Sequence, residues 1–137
     1  MTVKVYDRLP EEAKAIRTEV FVDEQGFTEE FDSADHTAIH LVGFIDDKAV
    51  ATSRIIKIND TDYMIGRIAV LKANRKGGLG ARIVYAAEDI IREHGGNNAF
   101  IHAQMQAVPF YERIGYTLTG ETDVEEGCPH AMMSKKL

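Results

Sequence analysis

Residues 67 to 81, Arg-Ile-Ala-Val-Leu-Lys-Ala-Asn-Arg-Lys-Gly-Gly-Leu-Gly-Ala, constrain the fold of this chain more than any other stretch. An apolar run feeds a basic, glycine-rich turn, and an amphipathic helix begins at once. That arrangement sets several backbone N–H groups and a helix N-terminus at one place, which suits a phosphate-bearing ligand. Glycine leaves the backbone bare for a phosphate to touch and tolerates positive φ. Gly77, Gly78 and Gly80 would each cost roughly 1 kcal/mol of helix propensity if they only opened a helix. A plain helix start with surplus glycines is the competing account.

The remaining elements follow from periodicity and punctuation. Residues 2–6 alternate as a short strand. Pro10, with Glu11 and Glu12, opens a helix whose stripe is Ala13, Ile16, Val20 and Phe21, and Gly26 ends it. The acidic stretch 28–35 reads as loop. Strands at 37–45 and 48–56 flank the hairpin turn Asp46-Asp47, and a third strand covers 63–71 after the turn Asn59-Asp60-Thr61-Asp62. A helix from about residue 78 to 94 buries Leu79, Ile83, Ala87, Ile90 and Ile91 and stops at Gly95-Gly96. Residues 99–103 form a strand apolar on both faces, parallel to 63–71 through a strand–helix–strand unit. A short helix at 109–113 and strands at 116–119 and 130–135 complete the order β α β β β α β α β β. The expected fold is a mixed α/β (α+β) sandwich, mostly antiparallel, with one parallel unit and flanking helices.

At 137 residues and 45% apolar content the chain is expected to form one domain, 1–137. No apolar run approaches the ~18 residues of a membrane span, and residues 1–4 do not open a signal segment. One cysteine, Cys128, excludes an internal disulfide and fits a reducing cytoplasm; it lacks an activating partner in sequence. A net charge of −6 disfavours nucleic acid as a partner. Against that background Lys72, Arg75 and Lys76 cluster on the glycine turn. The turn is not a Walker loop, since Ala81-Arg82 stand where lysine and serine or threonine belong. Gly78-Leu79-Gly80 holds two glycines of a dinucleotide fingerprint, but Ile83 takes the third position, so NAD is a weak alternative.

The R-x-x-G-x-G turn of residues 75–80, between strand and helix, resembles the acetyl-CoA signature of the GCN5-related N-acetyltransferases. Downstream, Pro109-Phe110-Tyr111-Glu112-Arg113-Ile114-Gly115-Tyr116 resembles that family's F-Y-x-x-x-G-F/Y segment. The runs Val20-Phe21-Val22-Asp23-Glu24-Gln25 and Gln104-Met105-Gln106 are similar to a small bacterial branch. Pro129-His130-Ala131-Met132-Met133 resembles the glyphosate-acetylating type.

The resemblance implies acetyl-CoA as co-substrate and direct transfer to the amine of a small molecule. It places the pantetheine arm beside Ile68, Ala69 and Val70. The pyrophosphate falls on Arg75 and the N–H groups of Lys76, Gly77, Gly78, Leu79, Gly80 and Ala81, with Phe110 and Tyr111 nearby. It makes Tyr111 the general acid for the leaving thiolate, a role a phenol of pKa ~10 can fill. His130 becomes the base, a task suited to imidazole at neutral pH, with Glu24 acting through water as the alternative. Arg17 and Arg67, with Gln104 at a third position, become substrate-binding candidates. The competing account pairs Arg67 with Glu24, Asp32 or Asp35. Gln104 stands where such enzymes carry a cation, so an acceptor as anionic as glyphosate does not carry over.

No metal is expected. His36 and His40, on a strand at ~3.3 Å per residue, would lie about 13 Å apart. His102 reads as a satisfied core residue. The acidic run Glu29-Glu30-Phe31-Asp32 is expected to be solvated, with cationic acceptors as its functional reading. A homodimer is compatible with the family, and a coenzyme A-binding sensor without catalysis is the alternative from another class.

Overall fold

The structure is a computed structural model that describes residues 1–28 and 31–137. Its elements run β1 (Thr2–Tyr6), α1 (Glu11–Arg17) continuing as a π-helical segment (Thr18–Glu24), a 3-10 turn (Ser33–His36), β2 (Ile39–Ile45), β3 (Lys48–Lys57) and β4 (Asp62–Val70). After a second 3-10 turn (Lys72–Gly77) come α2 (Leu79–Glu93), β5 (Asn98–Gln104), α3 (Val108–Arg113), β6 (Thr117–Glu125) and β7 (Cys128–Lys136). One seven-stranded sheet has the order β1-β2-β3-β4-β5-β7-β6. Every neighbouring pair is antiparallel except β4–β5, which is parallel as the strand–helix–strand unit requires. Among the described residues no helix is long and apolar enough to cross a membrane.

Strand alternation divides the core between the two sheet faces. Leu41 joins the cluster under α2, with Ile83, Ala87 and Ile91, while its neighbour Val42 joins Ala13, Ile16, Val20 and Phe21 of the first helix. The hairpin at Asp46-Asp47 has φ of 50° and 64°, the doubly left-handed turn that matches strand twist.

Three differences from the periodicity reading have physical causes. The first helix widens into a π-helix, with the Gln25 N–H bonding to the Val20 carbonyl at 3.1 Å. A wider turn brings adjacent side chains closer to one face, and Val20 and Phe21 both reach the core. β6 runs to Glu125, well beyond residue 119, as a sheet-edge strand whose residues are all exposed, so no apolar alternation marks it. Within the expected loop, Ser33–His36 forms a turn closed by a capping box between Asp32 and Asp35. Glu29 and Glu30 of the acidic run lie outside the described residues.

A buried charge cluster ties α1 to the sheet. Arg17 donates to Asp35 at 2.9 and 3.1 Å, and Arg54 of β3 donates to Asp35 at 3.0 Å and to Asp32 at 2.7 Å. Burial alone would raise the Asp35 carboxyl; the hydrogen bonds from Arg17 and Arg54 outweigh it and hold it well below the usual carboxylate range. Removing one member strands the others, so Asp35→Asn should lose about 3 kcal/mol in urea unfolding. A depressed folded-state pKa contributes stability that is complete above the unfolded value of ~3.9 and fades as pH falls from there toward the folded value. The wild type should therefore keep this contribution down to about pH 4, and the variant's stability should fall less steeply below it.

Candidate active site

β4 and β5 pair only at Asp62↔Asn98, Tyr63↔Ala99 and Met64↔Phe100. Beyond that point β4 stays on β3 through Val70, and β5 stays on β7 through Gln104. Each strand is held on its outer side, so their inner edges part. A bulge in β4 sharpens the divergence: between Gly66↔Arg54 and Ala69↔Thr52, Arg67 and Ile68 oppose the single residue Ser53. Arg67 adopts φ of 49°, an unusual backbone for a bulky residue, and its guanidinium reaches Asp32 at 3.3 Å.

The parting opens a cleft of about 540 Å³ between residues 65–68 of β4 and 101–104 of β5, walled by Phe21 of the π-helical segment and by Gln25 just after it. Tyr111 from α3 and His130 from β7 line it together. Tyr111 is 8% exposed; burial pushes its phenol up to about 12, so it is a neutral donor. Among the described residues no group hydrogen-bonds its hydroxyl. His130 places Nδ1 2.7 Å from the Cys128 carbonyl. A carbonyl only accepts, so Nδ1 carries the hydrogen and Nε2 of the neutral ring carries the lone pair. Cys128 thus enters the site through its backbone.

β4 leads directly into the glycine turn. Gly78 has φ of 75° and caps α2, with no side chain closing the helix end. The first bond across the cap is from the Arg82 N–H to the Gly78 carbonyl at 3.2 Å, so the N–H groups of Leu79, Gly80 and Ala81 have no acceptor within the helix. A Cβ placed at Gly77 or Gly78 would meet nothing within 4 Å, so bare backbone faces open space there. Gly80 has a different reason: a Cβ would come within 3.2 Å of the Phe110 ring. Phe110 therefore packs against the start of α2. Its ring meets Tyr111 edge-on at 5.1 Å. Orphaned amides, a positive helix end and an unobstructed surface fit a diphosphate. On β4, residues 65–70 have no strand on the cleft side, which leaves the edge at Ile68, Ala69 and Val70 open to an extended ligand arm.

Several expected site residues sit elsewhere than the sequence reading placed them. Arg75 does not present its guanidinium to the turn: Nε donates to the Val70 carbonyl at 2.9 Å, and the terminal nitrogens meet both oxygens of Glu24 at 2.6 and 2.7 Å. That hydrogen bonding holds the Glu24 carboxyl below the usual range, which suits a brace between the π-helical segment and β4 and not a proton acceptor. Arg17 is 1% exposed and grips Asp35, and it is not among the residues that line the cleft. Gln104 and Arg67 do line the cleft, and the Gln104 amide donates to Gln25 at 2.9 Å across it. His102 is not a core residue. It faces the cleft, stacks on His130 with ring centres 4.5 Å apart, and meets Asp123 at 2.7 Å. The available signal was its i, i+2 relation to Gln104 between the buried Ile101 and Ala103.

Comparison with known proteins bears on this geometry. A family model described as Acetyltransferase (GNAT) domain matches residues 6–137. The Bacillus subtilis (strain 168) protein named uncharacterized N-acetyltransferase YjcF is 36% identical over 123 residues, covering 88% of this chain and 87% of its own. A solved N-acetyltransferase candidate from Lactobacillus plantarum superposes with a TM-score of 0.89 at 30% identity, covering 100% of this chain and 99% of that one. Escherichia coli ElaA follows at 0.84 and 26%, with 98% and 99% covered. None of these bears on the glyphosate-acetylating branch. With the family match spanning the sheet, the parted strands and the glycine turn, this chain belongs to the GNAT acetyltransferase domain family.

Proposed function

We propose that the protein is an acetyl-CoA-dependent N-acetyltransferase acting on the amine of a small molecule. The observation that carries this reading is the pairing of two groups in one cleft: a buried, neutral phenol at Tyr111 and an imidazole lone pair at His130 Nε2. When bound, the co-substrate supplies an activated acetyl thioester. The amides at Gly78, Leu79, Gly80 and Ala81 would hold its diphosphate, and the open edge of β4 its arm.

His130 Nε2 accepts the proton an ammonium must lose before it can attack a carbonyl carbon. The Nδ1–H bond to the Cys128 carbonyl keeps the ring in that tautomer and orientation. Tyr111 Oη donates a hydrogen bond to the departing sulfur. A phenol near 12 lies about 3.5 units above an ordinary thiol at ~8.5, so full proton transfer to a thiolate of ordinary basicity would be uphill by about 5 kcal/mol. Burial raises the thiol as well, which narrows that gap and makes the donated hydrogen bond worth most as negative charge gathers on sulfur. Attack is direct, since Cys128 offers its carbonyl to His130 and its thiol to no cleft group.

Two measurements test this reading. Tyr111→Phe should lower kcat by about 10²-fold across a panel of primary amines while coenzyme A affinity changes less than about threefold. Acetyl-CoA binding with no turnover of any amine by the wild type would favour a sensor instead. Gly78→Val, at φ of 75°, should fold with a stability loss of about 1–2 kcal/mol and weaken coenzyme A at least about tenfold by calorimetry. Unchanged affinity in the folded variant would remove the diphosphate from this turn.

A further inference from the structure

We propose that His102, Glu125 and His130 form a binding site for a divalent transition-metal ion of the zinc class at the wall of the cleft. One ligand atom from each residue lies within 4.8 Å of the others. His102 Nδ1 and Glu125 Oε2 are 3.5 Å apart, too far for a hydrogen bond. Zinc–ligand bonds of about 2.0–2.2 Å put two donors of a tetrahedral ion ~3.3–3.5 Å apart, which is that separation.

The outer nitrogens strengthen the assignment. His102 Nε2 donates to Asp123 at 2.7 Å, and His130 Nδ1 donates to the Cys128 carbonyl at 2.7 Å. The nitrogens left with lone pairs are therefore His102 Nδ1 and His130 Nε2. A carboxylate or carbonyl on the far nitrogen is the usual support for a metal-bound histidine. The donors stand on adjacent strands of one sheet: Gln104 of β5 pairs with His130 of β7, and Asp123 of β6 pairs with His130 from the other side. Two imidazoles and one carboxylate select zinc, cobalt or nickel over magnesium and calcium, which demand oxygen. The rings are stacked with planes 20° apart, and an ion must lie in both planes. Binding thus keeps the His102 ring on Asp123, where its spacing to Glu125 already suits an ion, and requires the His130 ring to tilt out of the stack about its Nδ1–H bond to the Cys128 carbonyl.

Such an ion would take the lone pair assigned to the base, so it would switch transfer off reversibly. That consequence rests on the proposed function; binding itself does not. The test is titration of chelator-treated protein with cobalt(II) by visible absorption and with zinc by calorimetry, without substrate. One ion per chain should bind, magnesium should not compete, and His102→Ala and Glu125→Gln should each weaken zinc more than about tenfold. Asp123→Asn, which removes only the support, should weaken it about tenfold. Retained coenzyme A binding shows that each variant is folded. No uptake of either ion, or zinc affinity unchanged in His102→Ala and Glu125→Gln, overturns the site. Zinc uptake by a protein that transfers no acetyl group would sink the proposed function and leave the metal site standing.

Discussion

Two neighbouring parallel strands that stop pairing after three residue pairs open the cleft on which the candidate site depends. An unpaired strand edge in a protein interior leaves donors and acceptors without partners, a state that folded chains avoid unless water or a ligand completes them. Here β3 and β7 hold β4 and β5 on their far sides, and the bulge at Arg67 bends β4 away. The same departure that opens the cleft exposes the β4 edge, and β4 then runs straight into the glycine turn and the orphaned amides of α2. The β4 edge and the helix end follow one another in the chain, and residues 65–68 of the same strand line the cleft.

Charge in this protein mostly builds the walls of that surface. The π-helical segment that contributes Phe21, and leads into Gln25, is clamped just before its start by Arg17 on Asp35 and at its end by Glu24 on Arg75. Arg54 and Arg67 converge on Asp32 from β3 and β4. A bidentate arginine–carboxylate pair fixes direction as well as distance, which positions a wall where apolar contact alone would let it slide. The groups proposed for the chemistry are set by burial and by a backbone contact instead: a phenol raised by burial, and an imidazole whose Nδ1 hydrogen is fixed by a carbonyl.

Local pattern carried much of this architecture. Apolar alternation and the β–turn–α transition at 67–81 located β4 and α2, and the Pro109-Phe110-Tyr111 segment located α3. Asp46-Asp47 marked its hairpin turn. What the sequence did not reveal depended on partners distant in the chain. Arg75 and Glu24 are 51 residues apart, and a basic residue on a glycine turn looks like an anion ligand until its partner is seen. Arg17 meets Asp35 only because a loop returns over α1. β6 is an exposed edge with no alternation to read, so the approach of Asp123 and Glu125 to His102 was invisible, and His102 passed for core.

Hydrogen–deuterium exchange with and without coenzyme A tests the central claim most directly. Slowed exchange confined to residues 65–70 and 78–81 is the result required by a diphosphate on the α2 amides and an arm along the β4 edge. Exchange that is unchanged in both segments while coenzyme A is demonstrably bound would place the ligand elsewhere and contradict the account.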